Sequence, residues 1–122
     1  MITVPVSIGE LVDKITILEI KASKLTCANA LINVNYELIE LNAIAEPIGV
    51  SSEYKNKLVD VNTKLWDVED KLRIHEKTNT FENEFVALAR SVYIFNDERA
   101  RIKRDINIKY KSTIVEEKYF SR

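Results

Sequence analysis

The chain has 122 residues, of which 46% are hydrophobic and 30% charged, and its formal net charge at pH 7 is -1. This length fits a single domain over residues 1–122, with a hydrophobic core that needs no disulfide bonds for stability. Lys and Arg (18) nearly balance Asp and Glu (19), so we expect no nucleic-acid partner and no binding to an anionic membrane. With only 2 Gly and 2 Pro, the composition favours long helices over many short strands.

The sequence also indicates where the protein resides. Cys27 is the one cysteine, so an internal disulfide framework is excluded. The N-terminus lacks a basic region followed by a long apolar run, and we therefore expect no signal peptide. The apolar runs are far shorter than the roughly 20 residues that cross a bilayer. We expect a soluble, cytoplasmic protein that does not associate with membranes.

The first predicted element is a helix over residues 8–25, with apolar residues at steps of three and four. Ser7 and Glu10 before and within its first turn have the spacing of a capping box. A second helix with the same apolar spacing is predicted over residues 29–45. Pro47 ends it, because proline disfavours helix at the residue before it.

Two longer helices follow. The third is predicted over residues 52–77, and the fourth follows a second capping box at Asn79 and Glu82 and continues to about Lys111. Short connections make consecutive helices antiparallel. We therefore predict an all-α fold, an antiparallel four-helix bundle with a long C-terminal helical hairpin. The exposed end of that hairpin is a natural surface for self-association.

The pattern changes after the fourth helix, where residues 112–116 are short and rich in β-branched side chains. Residues 3–6 at the other terminus have the same character. The two segments could pair as a minor two-stranded β ribbon that joins the N- and C-terminal segments. Such a ribbon needs support from a helix to be stable.

Arg99 interrupts the apolar stripe of the fourth helix between Phe95 and Ile102. A guanidinium keeps its charge, so a buried arginine needs carboxylate partners. The candidate partners are Glu10, Asp13, Glu69 and Asp70. Either Arg99 binds an anionic ligand bidentately in a polar pocket between helices, or it forms a structural ion pair.

Further polar residues accompany Arg99 at helical spacing. On the fourth helix they are Arg90, Tyr93, Asn96, Asp97, Lys103 and Asn107, and on the first they are Glu10, Asp13 and Lys14. This spacing predicts one broad polar face and a candidate ligand-binding site. Solvated helices with ion pairs four residues apart produce the same pattern, so both interpretations remain open.

Few residues of the sequence favour metal or cofactor chemistry. Glu10 and Asp13 resemble part of the Mg²⁺-binding motif of helical nucleotide pyrophosphohydrolases, but the Glu-Glu-x-x-Glu element of that motif is absent. His75 is the one histidine, and a single histidine with a single cysteine argues against a zinc site. Trp66 is interpreted as a packed aromatic at a helix–helix margin. We predict no metal and no cofactor.

Several motifs extend over nearly the whole chain. They are the run Val4–Lys21, then Leu65, Trp66, Glu69, Asp70 and Arg73, then Leu88–Tyr93 with Asn96, Asp97, Arg99, Ile102–Arg104, Ile106 and Asn107, and last Ser112 with Val115–Lys118. Together they resemble a family of small bacterial proteins catalogued only as a domain of unknown function. Residues 26–57 match weakly. The resemblance implies no activity, substrate or cofactor, but its many polar motif positions imply a shared polar site.

Three functions remain open, and the sequence favours the first. The first is a non-enzymatic interaction or assembly module that forms a homodimer or docks on a larger protein, because no catalytic constellation is recognisable. The second is a binder of, or enzyme acting on, a small anionic metabolite, with Arg90, Arg99 and Lys103 holding the anion and Asp13 or Glu69 in support. The third is Mg²⁺-dependent phosphate chemistry through the carboxylates.

Overall fold

The structure, a computed structural model, describes residues 1–119 and contains four helices. They are α1 (Ile8–Lys24), α2 (Ala28–Ala45), α3 (Ser52–Thr78) and α4 (Asn83–Lys109). The predicted all-α class is confirmed. Both α3 and α4 have 27 residues, against 17 for α1 and 18 for α2. At a rise of about 1.5 Å per residue, the C-terminal pair is longer by roughly 14 Å. None of the described helices combines the length and apolarity needed to cross a membrane.

Helix α1 is the central element of the fold. It packs against each of the other three helices, whereas α2 packs against α1 alone among the described helix pairs. Leu11, Ile15 and Leu18 are buried on one side of α1, and Ile20 is buried on the opposite side. A helix that is apolar on several sides is one surrounded by partners. Helices α1, α3 and α4 therefore form the main packing unit, and α2 lies on the outer side of α1.

The main apolar cluster lies where the start of α1, the first half of α3 and the end of α4 meet. Leu58, Val61 and Ile106 are 0% exposed, and they pack with Val12 and Ile102. Each fully buried aliphatic side chain contributes about 1.5–3 kcal/mol relative to an exposed one. This cluster holds α1 and α4 in fixed register next to the polar residues described below.

Aromatic contacts show that α3 and α4 run in opposite directions. The ring of Tyr54 lies 6.1 Å from that of Tyr110, and the ring of His75 lies 6.1 Å from that of Phe85. His75 is half-buried, and its Nδ1 lies 2.7 Å from the hydroxyl of Thr80. The far end of this hairpin exposes the large apolar side chains Ile74, Phe81 and Val86.

The helix caps agree only in part with the capping boxes predicted from the sequence. Ser7 caps α1, since its Oγ accepts a hydrogen bond from the Glu10 N–H at 3.0 Å. The carboxylate of Glu10 instead forms an ion pair with Lys103. The predicted second capping box is wrong, because Asn79 ends α3 with φ 53° and Glu82 makes no side-chain cap. Asparagine is one of the few residues that adopt this left-handed conformation readily.

The predicted β ribbon is also wrong, because residues 1–119 contain no strand. The two terminal segments nevertheless meet through side chains. The Oγ of Ser112 accepts a hydrogen bond from the Ile8 N–H at 3.1 Å, and the side chains of Ser7 and Glu116 are hydrogen-bonded. The N–H groups at the start of α1 have no acceptor within the helix, and they bond to side chains rather than to a strand.

Candidate functional site

One side of α4 carries a row of polar residues opposite α1. The row consists of Asn96, Arg99, Lys103 and Asn107, which recur at steps of three or four residues. Side chains at this spacing project from the same face of a helix. Residues 112–119, which we call the tail, follow α4 and return along the same face, as the pairs below show.

Asp13 of α1 is a buried carboxylate, only 1% exposed. The amide Nδ2 of Asn62 donates to its Oδ1 at 2.8 Å, and Nε of Arg99 lies 3.4 Å from its Oδ2. Asn62 Nδ2 also donates to the hydroxyl of Thr16 at 3.0 Å, so the amide orientation is set. Burial raises the pKa of Asp13, although Asn62 and Arg99 act to lower it. Of the four carboxylates considered as partners for Arg99, the structure pairs it with Asp13.

A second ion pair joins α1 to α4 one helical turn away. Lys103 Nζ contacts the carboxylate of Glu10, and the Lys103 side chain is largely buried, with 16% exposed. Glu10 precedes Asp13 on α1, whereas Lys103 follows Arg99 on α4. The order of the two pairs therefore shows that α1 and α4 run in opposite directions. Each pair also orients one cation of the row, Arg99 or Lys103.

Asn107 joins three segments of the chain at the end of the row. Its Oδ1 accepts a hydrogen bond from the Gly9 N–H at 2.6 Å, and its Nδ2 donates to Glu116 Oε1 at 3.2 Å. A Cβ on Gly9 would lie 3.0 Å from Asn107 Oδ1 and would collide with the main-chain carbonyl of Lys103. Only glycine permits α1 and α4 to approach this closely.

The tail returns along α4 through charged pairs. Arg104 NH1 lies 2.9 Å from Glu117 Oε1, and Lys118 Nζ lies 3.3 Å from Asp97 Oδ1. The tail position increases from 117 to 118 while the α4 position falls from 104 to 97. The tail therefore runs back over α4 in the opposite direction and brings Glu117 and Lys118 beside the polar row.

Glu116 is the tail residue most closely tied to the row. Partial burial acts to raise its pKa, but hydrogen bonds from Ser7, from its own backbone and from Asn107, together with the positive charge of Lys103, outweigh that effect. The pKa of Glu116 therefore lies below its ordinary value. Its carboxylate acts as an internal anion next to the cations of α4.

The tail and α4 enclose a cleft of about 590 Å³, which we call the tail cleft. This is the size range of small-molecule sites. Among the described residues its walls carry five cationic and two anionic side chains. These are Arg99, Arg101, Lys103, Arg104 and Lys118, with Glu116 and Glu117. Glu10, Asp13 and Asp97, which lie outside this lining, pair with three of these cations, so the lining is more positive than the site as a whole.

A second cavity of about 350 Å³ lies between α1, α3 and α4, and we call it the Trp66 cavity. Asn96 and Arg99 line both cavities and so form a shared wall. Ile17, Ile20 and Leu65 supply its apolar lining. The remaining lining residues are Lys21, Asn62, Trp66, Glu69, Asp70 and Arg73.

The structure brings most of the predicted polar residues to these two cavities. Those that line the tail cleft or pair with its lining residues are Glu10, Asp13, Asn96, Asp97, Arg99, Lys103 and Asn107. Glu69 and Asp70 line the Trp66 cavity. The other three lie elsewhere: Lys14 is 3.5 Å from Glu37 of α2, and Arg90 and Tyr93 are exposed and line neither cavity.

The candidate ligand-binding residues omitted Asn62, Glu116, Glu117 and Lys118, although the family motif that implies a shared polar site includes Glu116 and Lys118. Asn62 follows Leu58 by four residues on the buried stripe of α3, so a polar residue in that stripe was an available signal. No sequence pattern predicts that the tail runs back along α4, because this path depends on contacts between residues far apart in the chain.

The described residues give no support to a metal site, since they contain no group of three His, Cys, Asp or Glu side chains that could hold an ion. The two carboxylates of the proposed Mg²⁺ motif are both engaged by cations of the protein. Glu10 pairs with Lys103, and Asp13 pairs with Arg99. Neither carboxylate is therefore free of a protein partner.

Comparison with known proteins identifies the family of the chain. No curated protein and no solved structure matches it. The sequence model of a family of unknown function, DUF6165, matches residues 2–122. The match includes α1, the polar row of α4 and the tail, and hence every residue of the two cavities. The chain therefore belongs to this family of unknown function, DUF6165.

Proposed function

We propose that the protein binds a small anionic molecule in the tail cleft. The observation that carries this proposal is the cleft of about 590 Å³ lined by five cationic and two anionic side chains. Charge-assisted hydrogen bonds from Arg and Lys to carboxylate or phosphate groups are short and about twice as strong as neutral ones. In this proposal an antiparallel bundle of the helices is the rigid scaffold that holds those groups in place.

Arg99 is the proposed anchor for the anion. Its Nε faces Asp13, and its terminal nitrogens make no ion pair or hydrogen bond with another residue in 1–119. A guanidinium fork presents two parallel donors to a phosphate or carboxylate. Because Asp13, itself held by Asn62, already orients the Arg99 side chain, binding loses little conformational entropy.

The tail carboxylates restrict the class of anion. Glu117 pairs with Arg104, and Glu116 lies beside Lys103. A ligand must compete with these internal anions, which favours molecules with two or more negative charges. We propose binding rather than catalysis, because both tail carboxylates are held by partners of their own and neither is available as a base.

Calorimetric titration with inorganic pyrophosphate tests this function. Among residues 1–119 the ion-pair partner of Arg104 is the exposed Glu117, so Arg104→Ala should leave the fold intact and weaken pyrophosphate binding by about three- to tenfold. Arg90→Ala removes the same charge from α4 outside both cavities and should leave the affinity unchanged. Absence of binding to the wild-type chain, or equal weakening by both variants, would contradict the proposal.

A second candidate is an assembly module that forms a homodimer through α2. Ile32, Tyr36 and Ile39 form a stripe on α2 and are 65%, 60% and 71% exposed. Val34, by contrast, is buried, so the stripe lies on a face that α1 does not cover. Helix α2 contains no Lys or Arg and only two carboxylates, so a second copy can pack on this face with little charge to desolvate.

Light scattering tests the dimer. The wild-type chain should have twice the monomer mass, and Ile39→Glu should reduce it to the monomer mass, because a charge would be buried at the interface. The control is Ile74→Glu, the same change at the exposed end of the α3–α4 hairpin. A monomeric wild-type chain, or dissociation by Ile74→Glu alone, would rule out the α2 interface.

A further inference from the structure

The tail cleft and the Trp66 cavity share Asn96 and Arg99 as a wall. We infer that they are two halves of one site, and that the ligand is a nucleotide with its phosphates in the tail cleft and its base in the Trp66 cavity. This inference rests on the proposed function and names the class of ligand. It depends on three features of the second cavity.

The first feature is a set of polar side chains that converge on the Trp66 cavity without partners in the protein. Within the described residues, six of the lining side chains make no hydrogen bond or ion pair: Lys21, Trp66, Glu69, Asp70, Arg73 and Asn96. In the tail cleft, by contrast, Lys103, Arg104 and Lys118 are each paired with a carboxylate. Convergent polar groups in a concave surface are the usual mark of a binding site.

The second feature is the combination of an aromatic ring with an apolar floor. Trp66 is half-buried and lines the cavity together with Ile17, Ile20 and Leu65. Planar rings stack on tryptophan, and every nucleobase has a suitable face. A simple dicarboxylate or an inorganic phosphate has no group that would use this surface.

The third feature is the presence of both hydrogen-bond acceptors and donors around that ring. Glu69 and Asp70 accept, whereas Arg73 and Asn96 donate. The edge of a nucleobase likewise presents both donors and acceptors.

Arg99 explains how one ligand engages both cavities. It lines each of them, and its Nε is fixed by Asp13 at 3.4 Å. Its terminal nitrogens are therefore held at the boundary, where the phosphate of a nucleotide meets the base and sugar. The same arginine that anchors pyrophosphate would therefore position the base against the ring of Trp66.

The intrinsic fluorescence of the full chain tests this inference, because Trp66 is the one tryptophan. ADP should change the fluorescence on titration, whereas pyrophosphate should bind by calorimetry without a comparable change. ADP should also bind at least about fivefold more tightly than pyrophosphate, the minimum expected from one base–aromatic stack. Adenosine alone should bind more weakly than ADP, because it lacks the anionic group.

Trp66→Leu gives an independent calorimetric test. It should weaken ADP binding at least about fivefold and leave pyrophosphate binding unchanged, whereas Phe81→Leu at the hairpin end should alter neither. If pyrophosphate binds but ADP binds no tighter and leaves the fluorescence unchanged, the inference is overturned and the proposed function survives. If neither ligand binds, both are wrong. The wild-type fluorescence titration decides the question even if Trp66→Leu does not fold.

Discussion

A charged carboxylate is costly to bury, and Asp13 is 1% exposed. Asn62 and Arg99 compensate for part of that cost, yet burial still raises the pKa of the carboxyl. Buried ion pairs of this kind often add little net stability compared with apolar residues. We therefore interpret Asp13 as a positioning residue that holds Arg99, rather than as a source of stability.

The raised pKa of Asp13 gives a pH dependence with a definite sign. When a carboxyl has a higher pKa in the folded chain than in the unfolded chain, the fold loses stability as pH rises from the unfolded-state pKa to the folded-state pKa. The ordinary value is 3.8. We expect the unfolding free energy of Asp13→Asn, measured by urea titration relative to wild type, to increase as pH rises above that value.

Glu116 provides the matched control, because its pKa is lowered from an ordinary value of 4.5. A lowered carboxyl pKa stabilises the fold above the ordinary value, and this stabilisation is lost as pH falls through the folded pKa. Glu116→Gln should therefore lose unfolding free energy relative to wild type as pH rises towards 4.5. The same slope for both variants would contradict the assignment of the two environments.

Gly9 makes the clearest prediction for stability. In Gly9→Ala the new Cβ would collide with the main-chain carbonyl of Lys103, so α1 and α4 must separate. We expect a loss of about 1–3 kcal/mol in unfolding free energy, although alanine is the better helix former. Asn56→Ala, an exposed change in α3, should be neutral or slightly stabilising. An unchanged denaturation midpoint for Gly9→Ala would show that the close approach is absent.

At the scale of elements, the site depends on α4 and on the tail that returns along it. The row Asn96, Arg99, Lys103 and Asn107 was predictable, because helical spacing alone places these side chains on one face. The tail was not, since residues 112–116 have the composition of a strand and the structure leaves them without a ladder partner. Side-chain hydrogen bonds to Ser7 and Asn107 hold the tail instead, and such bonds have no local sequence pattern.

The tail makes a prediction of its own. Glu117 competes with any anion for Arg104, so Glu117→Gln should tighten pyrophosphate binding by about two- to fivefold. Glu40→Gln on α2 removes the same charge away from the tail cleft and is the control for net charge. Calorimetry that shows weaker binding of pyrophosphate to Glu117→Gln would mean that the tail carboxylate supports the ligand rather than competing with it.

At the scale of the whole molecule, the all-α class and the four helices of the described chain were predictable from apolar spacing. The separate position of α2 was not. Its apolar residues at steps of three and four predict one packed face, but spacing does not reveal that α1 is its sole partner helix. The extra apolar residues Ile32, Tyr36 and Ile39 were a signal that α2 has a second face.

The most direct test of the account is pyrophosphate calorimetry on the double variant Asp13→Asn/Arg99→Met. Both charges of the buried pair are removed together, and Asn62 can still donate to the new amide oxygen, so unfolding free energy should stay close to that of wild type. We predict a folded protein whose affinity for pyrophosphate is at least about tenfold weaker. A folded double variant that binds pyrophosphate with wild-type affinity would show that Arg99 is only a structural partner of Asp13, which contradicts the account.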